Sequence, residues 1–309
     1  MGHRITIGTR GSKLALWQAE HVRGLLVSAF TNLCIDFSII KTTGDQLQSN
    51  PPSNISKGLF TKEIEIALLD QKIDLAVHSV KDLPTDLPKG LKICCIPARE
   101  DPRDVLISKS GLGLNNLPTG AKIGTSSLRR KSQLFYLRSD LEVVALRGNI
   151  DTRMRKLKET NLDAIVLAAA GVKRLFGADL VTQFFEVDEI VPAVGQGALG
   201  IEIRENDDQT NTLLKEIRCQ RSEAEIGVER VVLRELGGGC QVPIGVNAQL
   251  ESNKLSVVGL VSSPDGRKRI LKKTVSDSAD STEIGLLLAE KLIQDGANEI
   301  LQVQFGTQQ

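Results

Sequence analysis

The feature that most constrains this chain is a repeated pattern: a short apolar run stops on a polar or cationic turn and gives way to a helix. Residues 4–8 alternate like a strand and break at Thr9-Arg10-Gly11-Ser12. Ser12 stands where it can cap an amphipathic helix running through Leu14, Trp17 and Leu25. Residues 34–41 form the next run, so the chain opens on a β-α-β unit, which implies a parallel strand pair. The run at 74–80 stops on Lys81-Asp82-Leu83-Pro84, and the run at 121–124 stops on Thr125-Ser126-Ser127-Leu128-Arg129-Arg130. Runs at 142–146 and 163–167 stop on Arg147-Gly148-Asn149 and on Ala168-Ala169-Ala170-Gly171, with Lys173 and Arg174 beyond. In open parallel sheets the carboxyl ends of the strands form the ligand-binding edge. Arg10, Lys81, Asp82, Arg129, Arg130, Arg147 and Arg174 all fall there. Two such sheets facing each other would line a cleft with cations around one notable acid, a setting for a small polyanionic ligand.

The turn at 125–131 carries the sharpest electrostatic signal. Its hydroxyl residues read as a helix cap, which puts Arg129, Arg130 and Lys131 in the first turn. Cations there oppose the positive end of the helix dipole, each at roughly 0.3–1 kcal/mol. An anion bound at the helix start explains the arrangement better than a solvated face does. Asp82 has a blander reading as a solvated loop carboxylate. His78, inside an apolar run, reads as a core histidine, and the adjacent Cys94 and Cys95 read as small buried apolar residues.

Composition removes several alternatives. Aromatics are 3% of the 309 residues and the net charge is +1, which argues against base stacking and a phosphate-seeking surface, hence against a nucleic-acid partner. No run reaches the length of a membrane span, and residues 1–4 lead straight into a strand pattern without a signal peptide, so the expectation is a cytoplasmic protein with no membrane partner. The five cysteines are scattered and without a CxxC pair, which disfavours a disulfide framework or a metal site. Gly195-Gln196-Gly197-Ala198-Leu199-Gly200 matches GxGxxG, but it runs into a strand pattern with no β-α-β unit around it, so a dinucleotide site is not expected.

Domain boundaries follow from the same pass. The charge cluster 99–104, with Pro102 inside it, reads as a crossing between domains, and 195–200 reads as the return. Domain 1 is then discontinuous, 1–98 and 199–217; domain 2 spans 99–198, and domain 3 spans 218–309. The last has a different pattern: a charged helix near 223–236, strands near 244–250 and 255–262, and a helix near 283–294, an α+β arrangement. Between its first helix and first strand lies Gly237-Gly238-Gly239-Cys240-Gln241-Val242-Pro243. Three glycines have no side chain to bury, so local stability does not explain them. Two readings stay open: a tight turn ending in a small residue, or a thiol displayed to hold something covalently.

Eight segments together carry a family resemblance over essentially the whole chain: GTRGSKLALWQA (8–19), KGLFTKE (57–63), DLAVHSVKDLP (74–84), REDPRD (99–104), GTSSLRR (124–130), LRGNIDTR (146–153), PAVGQGALGIE (192–202) and GGGCQVPIG (237–245). In this order and spacing the chain resembles the hydroxymethylbilane synthase (porphobilinogen deaminase) family. The resemblance implies two periplasmic-binding-protein-like α/β domains plus a smaller α+β C-terminal domain. It implies a transferase, a monomer, that joins four porphobilinogen molecules head to tail with loss of ammonia, needing no metal. The implied cofactor is a dipyrromethane attached through a thioether to Cys240. Residue by residue, Asp82 falls on the catalytic acid position, and Lys81, Asp82, Ser127, Arg129 and Arg130 fall on cofactor positions. Arg10, Ser12, Arg147, Arg153 and Arg174 fall on positions holding substrate and chain carboxylates, and Lys57, Phe60 and Gln196 on lid or cleft positions. Ser53-Asn54 stands where many relatives carry a second lysine, and Met154 and Val172 stand in place of leucine. The rival reading is a non-catalytic binding protein for a polyanionic metabolite, in which Cys240 and its glycines would have no purpose.

Overall fold

The computed structural model describes residues 3–46, 60–238, 242–277 and 281–305. In chain order its elements are β1 (His3–Thr9), α1 (Lys13–Ala29), β2 (Leu33–Ile39), α2 (Thr43–Gln46), α3 (Lys62–Leu69), β3 (Leu75–Ser79) and β4 (Leu91–Cys95). There follow β5 (Asp104–Ser108), β6 (Lys122–Gly124), α4 (Leu128–Leu137), β7 (Glu142–Val144), α5 (Ile150–Glu159), β8 (Ala164–Ala168), α6 (Ala169–Phe176) and β9 (Gln183–Phe184). The chain continues through β10 (Leu199–Arg204), α7 (Asp208–Leu214), α8 (Gln220–Glu235), β11 (Ile244–Glu251), β12 (Lys254–Ser262), β13 (Arg269–Ser276), α9 (Ser281–Gln294) and α10 (Ala297–Phe305). These elements form two compact units, one of residues 1–99 and 198–223, the other of residues 100–197 and 224–309.

The first unit holds a five-stranded sheet in the order β2-β1-β3-β10-β4. β1 is parallel to β2 and β3, as the opening β-α-β pattern requires, while β10 is antiparallel to both of its neighbours. Ile5, Ile7, Leu75, Val77, Ile201 and Ile203 pack with Ala19, Val22 and Leu26 of α1 in one core. Ser12 caps α1 by accepting from the Ala15 amide at 3.3 Å. His78 is buried and bonds Glu202 Oε2 through Nε2 at 2.9 Å, the satisfied core histidine that its apolar setting implies. Cys94 and Cys95 are buried as well, and burial pushes the Cys95 thiol up to about 12, so it stays protonated.

The second unit repeats the plan and adds a further sheet. Its five-stranded sheet runs β7-β6-β8-β5-β9, with β6 parallel to β7 and β8, and with β5 antiparallel to β8 and β9. In each unit, then, a parallel trio is flanked by one antiparallel strand, and that strand directly follows a passage of the chain from the other unit. β11, β12 and β13 form an antiparallel sheet whose inner face packs against Val228 and Val232 of α8 and Ile284, Leu288 and Leu292 of α9. The Val246 amide donates to Pro192 O at 3.0 Å, and the Arg269 guanidinium lies 4.5 Å from the centre of the Tyr136 ring. The GxGxxG segment leads into antiparallel β10 and not into a helix, so it forms no dinucleotide loop. Gly197 has φ +88°, and a Cβ there would sit 2.2 Å from Glu100 O, so close backbone approach explains that glycine.

Candidate active site

In the first unit the carboxyl ends of β1, β2 and β3 share one edge with the amino end of β10, because Leu199 pairs with Ser79. β3 ends on the single turn Val80–Asp82, held by the Leu83 amide donating to Val80 O at 3.0 Å and by the burial of Val80 and Leu83. That turn presents Asp82 exposed, without an ion pair or hydrogen bond of its side chain among the described residues, and sets Lys81 half-buried beside it. Arg10 follows β1 and donates through Nε to Asp45 Oδ2 at 3.2 Å, with a second contact from NH2 to Oδ1. Its guanidinium also lies over the Phe60 ring, 4.2 Å from the centroid. Burial pushes the Asp45 carboxyl up, but its bonds to Arg10 and Thr42 outweigh that and leave it below the usual carboxylate range. Arg10 thus lies over Phe60 while it pairs with Asp45, a partner that the sequence pattern did not single out.

In the second unit the carboxyl ends of β6, β7 and β8 share an edge with the amino end of β5, since Asp104 pairs with Ala168. Ser127 caps α4, accepting from the Arg130 amide at 3.4 Å. Arg129 and Arg130 do lie in the first helical turn, but they are buried. Arg129 NH1 donates to Asp104 Oδ2 at 2.7 Å, and Arg130 NH2 donates to Asp104 Oδ1 at 2.7 Å. Gln196 joins them, donating from Nε2 to Asp104 Oδ1 at 2.9 Å. The anion inferred at this helix start is therefore supplied in part by the chain itself. Burial raises the Asp104 carboxyl, but Arg129 and Arg130 outweigh burial and hold it far below its ordinary value. Asp104 is the residue that sequence reasoning missed. Its signal was an acid opening the apolar run 105–107, hidden because the whole of 99–104 reads as a charged crossing.

The other cations of this edge are more open. Arg147 is exposed, with no side-chain partner among the described residues. Arg153 on α5 donates from Nε to Gly148 O at 2.7 Å, which folds it back over the turn that follows β7. Arg174 on α6 donates to Gly197 O at 2.9 Å. Burial lowers its pKa, and the nearby Glu100 offsets part of that. Lys173 beside it pairs with Glu100 at 2.7 Å. Lys57 and Cys240, both expected at the site, lie outside the described residues. The donor set at these two edges, guanidinium, ammonium and hydroxyl, matches a ligand whose polar groups are carboxylates, as a dipyrromethane's are.

Each unit is thus an α/β unit whose sheet sets cations at its strand ends, and the first also presents Asp82 exposed there. A family model described as porphobilinogen deaminase, dipyromethane cofactor binding domain, matches residues 5–212, and one described as porphobilinogen deaminase, C-terminal domain, matches residues 224–294. The chain belongs to the porphobilinogen deaminase family. The protein of that name from Syntrophotalea carbinolica is 47% identical over 298 residues, covering 96% of this chain and 95% of its own. The one from Pelotomaculum thermopropionicum is 48% identical over 307 residues, covering 98% and 97%. Among solved structures, the methionine-binding protein MetQ aligns over 69% of this chain and 88% of its own, with a TM-score of 0.45 at 12% identity.

Proposed function

We propose that this chain is a transferase of tetrapyrrole biosynthesis that joins four porphobilinogen molecules head to tail into hydroxymethylbilane and releases ammonia. The observation that carries the reading is membership of the porphobilinogen deaminase family over nearly the full chain. Cys240 would hold a dipyrromethane through a thioether, and the bound group would supply the primer, a free terminal pyrrole carbon for the first unit. Asp82 is the catalytic carboxylate. Its oxygens accept from pyrrole N–H groups, oppose the positive charge that develops as the amine leaves, and carry protons to that amine and from the new junction. Lys81, Ser127, Arg129 and Arg130 bind primer carboxylates. Arg10, Ser12, Arg147, Arg153 and Arg174 bind those of substrate and growing chain, with Lys57, Phe60 and Gln196 bordering the site. Charge-assisted bonds of this kind contribute roughly 1.5–3 kcal/mol each, so several cations suffice to orient a molecule that carries two carboxylates per ring. The protein acts as a cytoplasmic monomer; no helix among the described residues is long and apolar enough to cross a membrane. Incubating purified protein with porphobilinogen and measuring ammonia and bilane tests the reading. Porphobilinogen bound without ammonia release would overturn it in favour of a binding protein.

A further inference from the structure

The second unit buries more positive charge at one point than it neutralises there. Arg129 and Arg130 are each 5% exposed, and the carboxylate they share, Asp104, is fully buried. Both of its oxygens are engaged: Oδ2 by Arg129, and Oδ1 by Arg130 through Nε at 3.0 Å and NH2 at 2.7 Å, and by Gln196. Other donors of the pair end on neutral carbonyls, Arg129 NH1 on Val191 O at 2.7 Å and Arg130 NH1 on Val166 O at 3.1 Å. Two guanidiniums on one carboxylate leave a surplus of one positive charge, at the start of a helix whose dipole adds to it. A buried charge of this kind is tolerated only beside an opposite one. Asp104 is also well placed to hold the pair still, because its short side chain leaves the first residue of β5, a strand hydrogen-bonded on both sides.

We infer that Asp104 is the positioning residue for Arg129 and Arg130, fixing both guanidiniums through its two oxygens so that their surplus charge receives one carboxylate of the dipyrromethane primer. The inference rests on the function proposed above and adds a residue which acts through the arginines and does not itself touch the primer. Without the Asp104 charge the two guanidiniums repel, leave their common geometry and lose the directed donors that a carboxylate requires.

The test follows loading of the primer and not turnover alone. Apo-protein made in a host that lacks porphobilinogen is mixed with porphobilinogen, and its gain in mass is followed with time. Wild-type protein gains the primer mass; Asp104→Asn gains it about ten- to a hundredfold more slowly, the span expected for losing one charge-assisted hydrogen bond. Asp104→Glu, which restores the charge, recovers most of the rate, a rescue that a purely space-filling role would not show. A folded Asp104→Asn that loads like wild type refutes the inference and leaves the function intact, whereas wild-type protein that never gains mass refutes the function. If Asp104→Asn does not fold, Arg130→Lys decides: it keeps the charge but loses the fork bound to Oδ1, and loading at the wild-type rate would overturn the assignment. A folded Asp104→Glu as slow as Asp104→Asn would likewise overturn it, since charge would then not be the cause.

Discussion

Asp82→Asn separates a catalytic carboxylate from a structural one more sharply than any other single change. The turn that carries Asp82 is held by the Leu83 amide on Val80 O and by two buried side chains, and its carboxylate has no partner among the described residues. Replacing one oxygen by an amide group should therefore change stability by no more than about 0.5 kcal/mol, as surface substitutions do. For a chain of this size that is a shift in melting temperature of about 2 °C at most. The expected effect on catalysis is of another order. Removing one group that stabilises developing charge costs roughly 10²–10³ in rate, and losing proton transfer adds up to a similar factor. A loss of about a thousandfold or more corresponds to at least ~4 kcal/mol of transition-state stabilisation. Asp82→Glu keeps the charge, displaced by one methylene, and should retain partial activity. The assay is bilane formed per protein molecule, with circular dichroism and melting temperature recorded on the same samples. Near-normal turnover in folded Asp82→Asn would refute the role, and so would an activity loss fully matched by unfolding.

Two further predictions concern the frame around the site. Gly197→Ala adds a Cβ 2.2 Å from Glu100 O at φ +88°, so left-handed strain of about 1–2 kcal/mol and overpacking of about 1–3 kcal/mol should both apply; thermal melting should drop by roughly 5–15 °C, against a much smaller drop for Gly111→Ala, where φ is +72° but nothing lies within 4 Å. An equal drop in the two variants would contradict the close-approach argument. Acid should weaken the second unit through Asp104: its folded pKa is depressed, so its contribution is fully present above the unfolded value of about 3.9 and is lost as pH falls towards the folded one. Urea titrations of wild type at pH 5 and pH 3 should differ by about 1 kcal/mol more than those of a folded Asp104→Asn, and equal losses would contradict it.

Much of the frame is legible in the sequence because its signals are local. Apolar runs over 4–8 and 74–80 locate β1 and β3 within a residue, and hydroxyl caps at Ser12 and Ser127 locate the starts of α1 and α4. β5 was not legible, since Pro102 and five charged neighbours mask an apolar run that begins on its own counter-ion. β13 escaped because it is half-exposed along most of its length and carries Lys272 and Lys273, which blur the alternation of an edge strand. At the site, the positions of the cations could be read from strand ends, but their partners could not. Asp104 meets Arg129 and Arg130 from a strand some 25 residues earlier, and Asp45 meets Arg10 from 35 residues later. Such pairings depend on how strands are ordered in the sheet, which no local pattern records.

The most direct test of the account is the intact mass of the purified protein. Active wild-type protein should be heavier than its sequence by one dipyrromethane, and Cys240→Ala should have the bare sequence mass and no turnover. An unmodified mass in active wild-type protein would contradict the account.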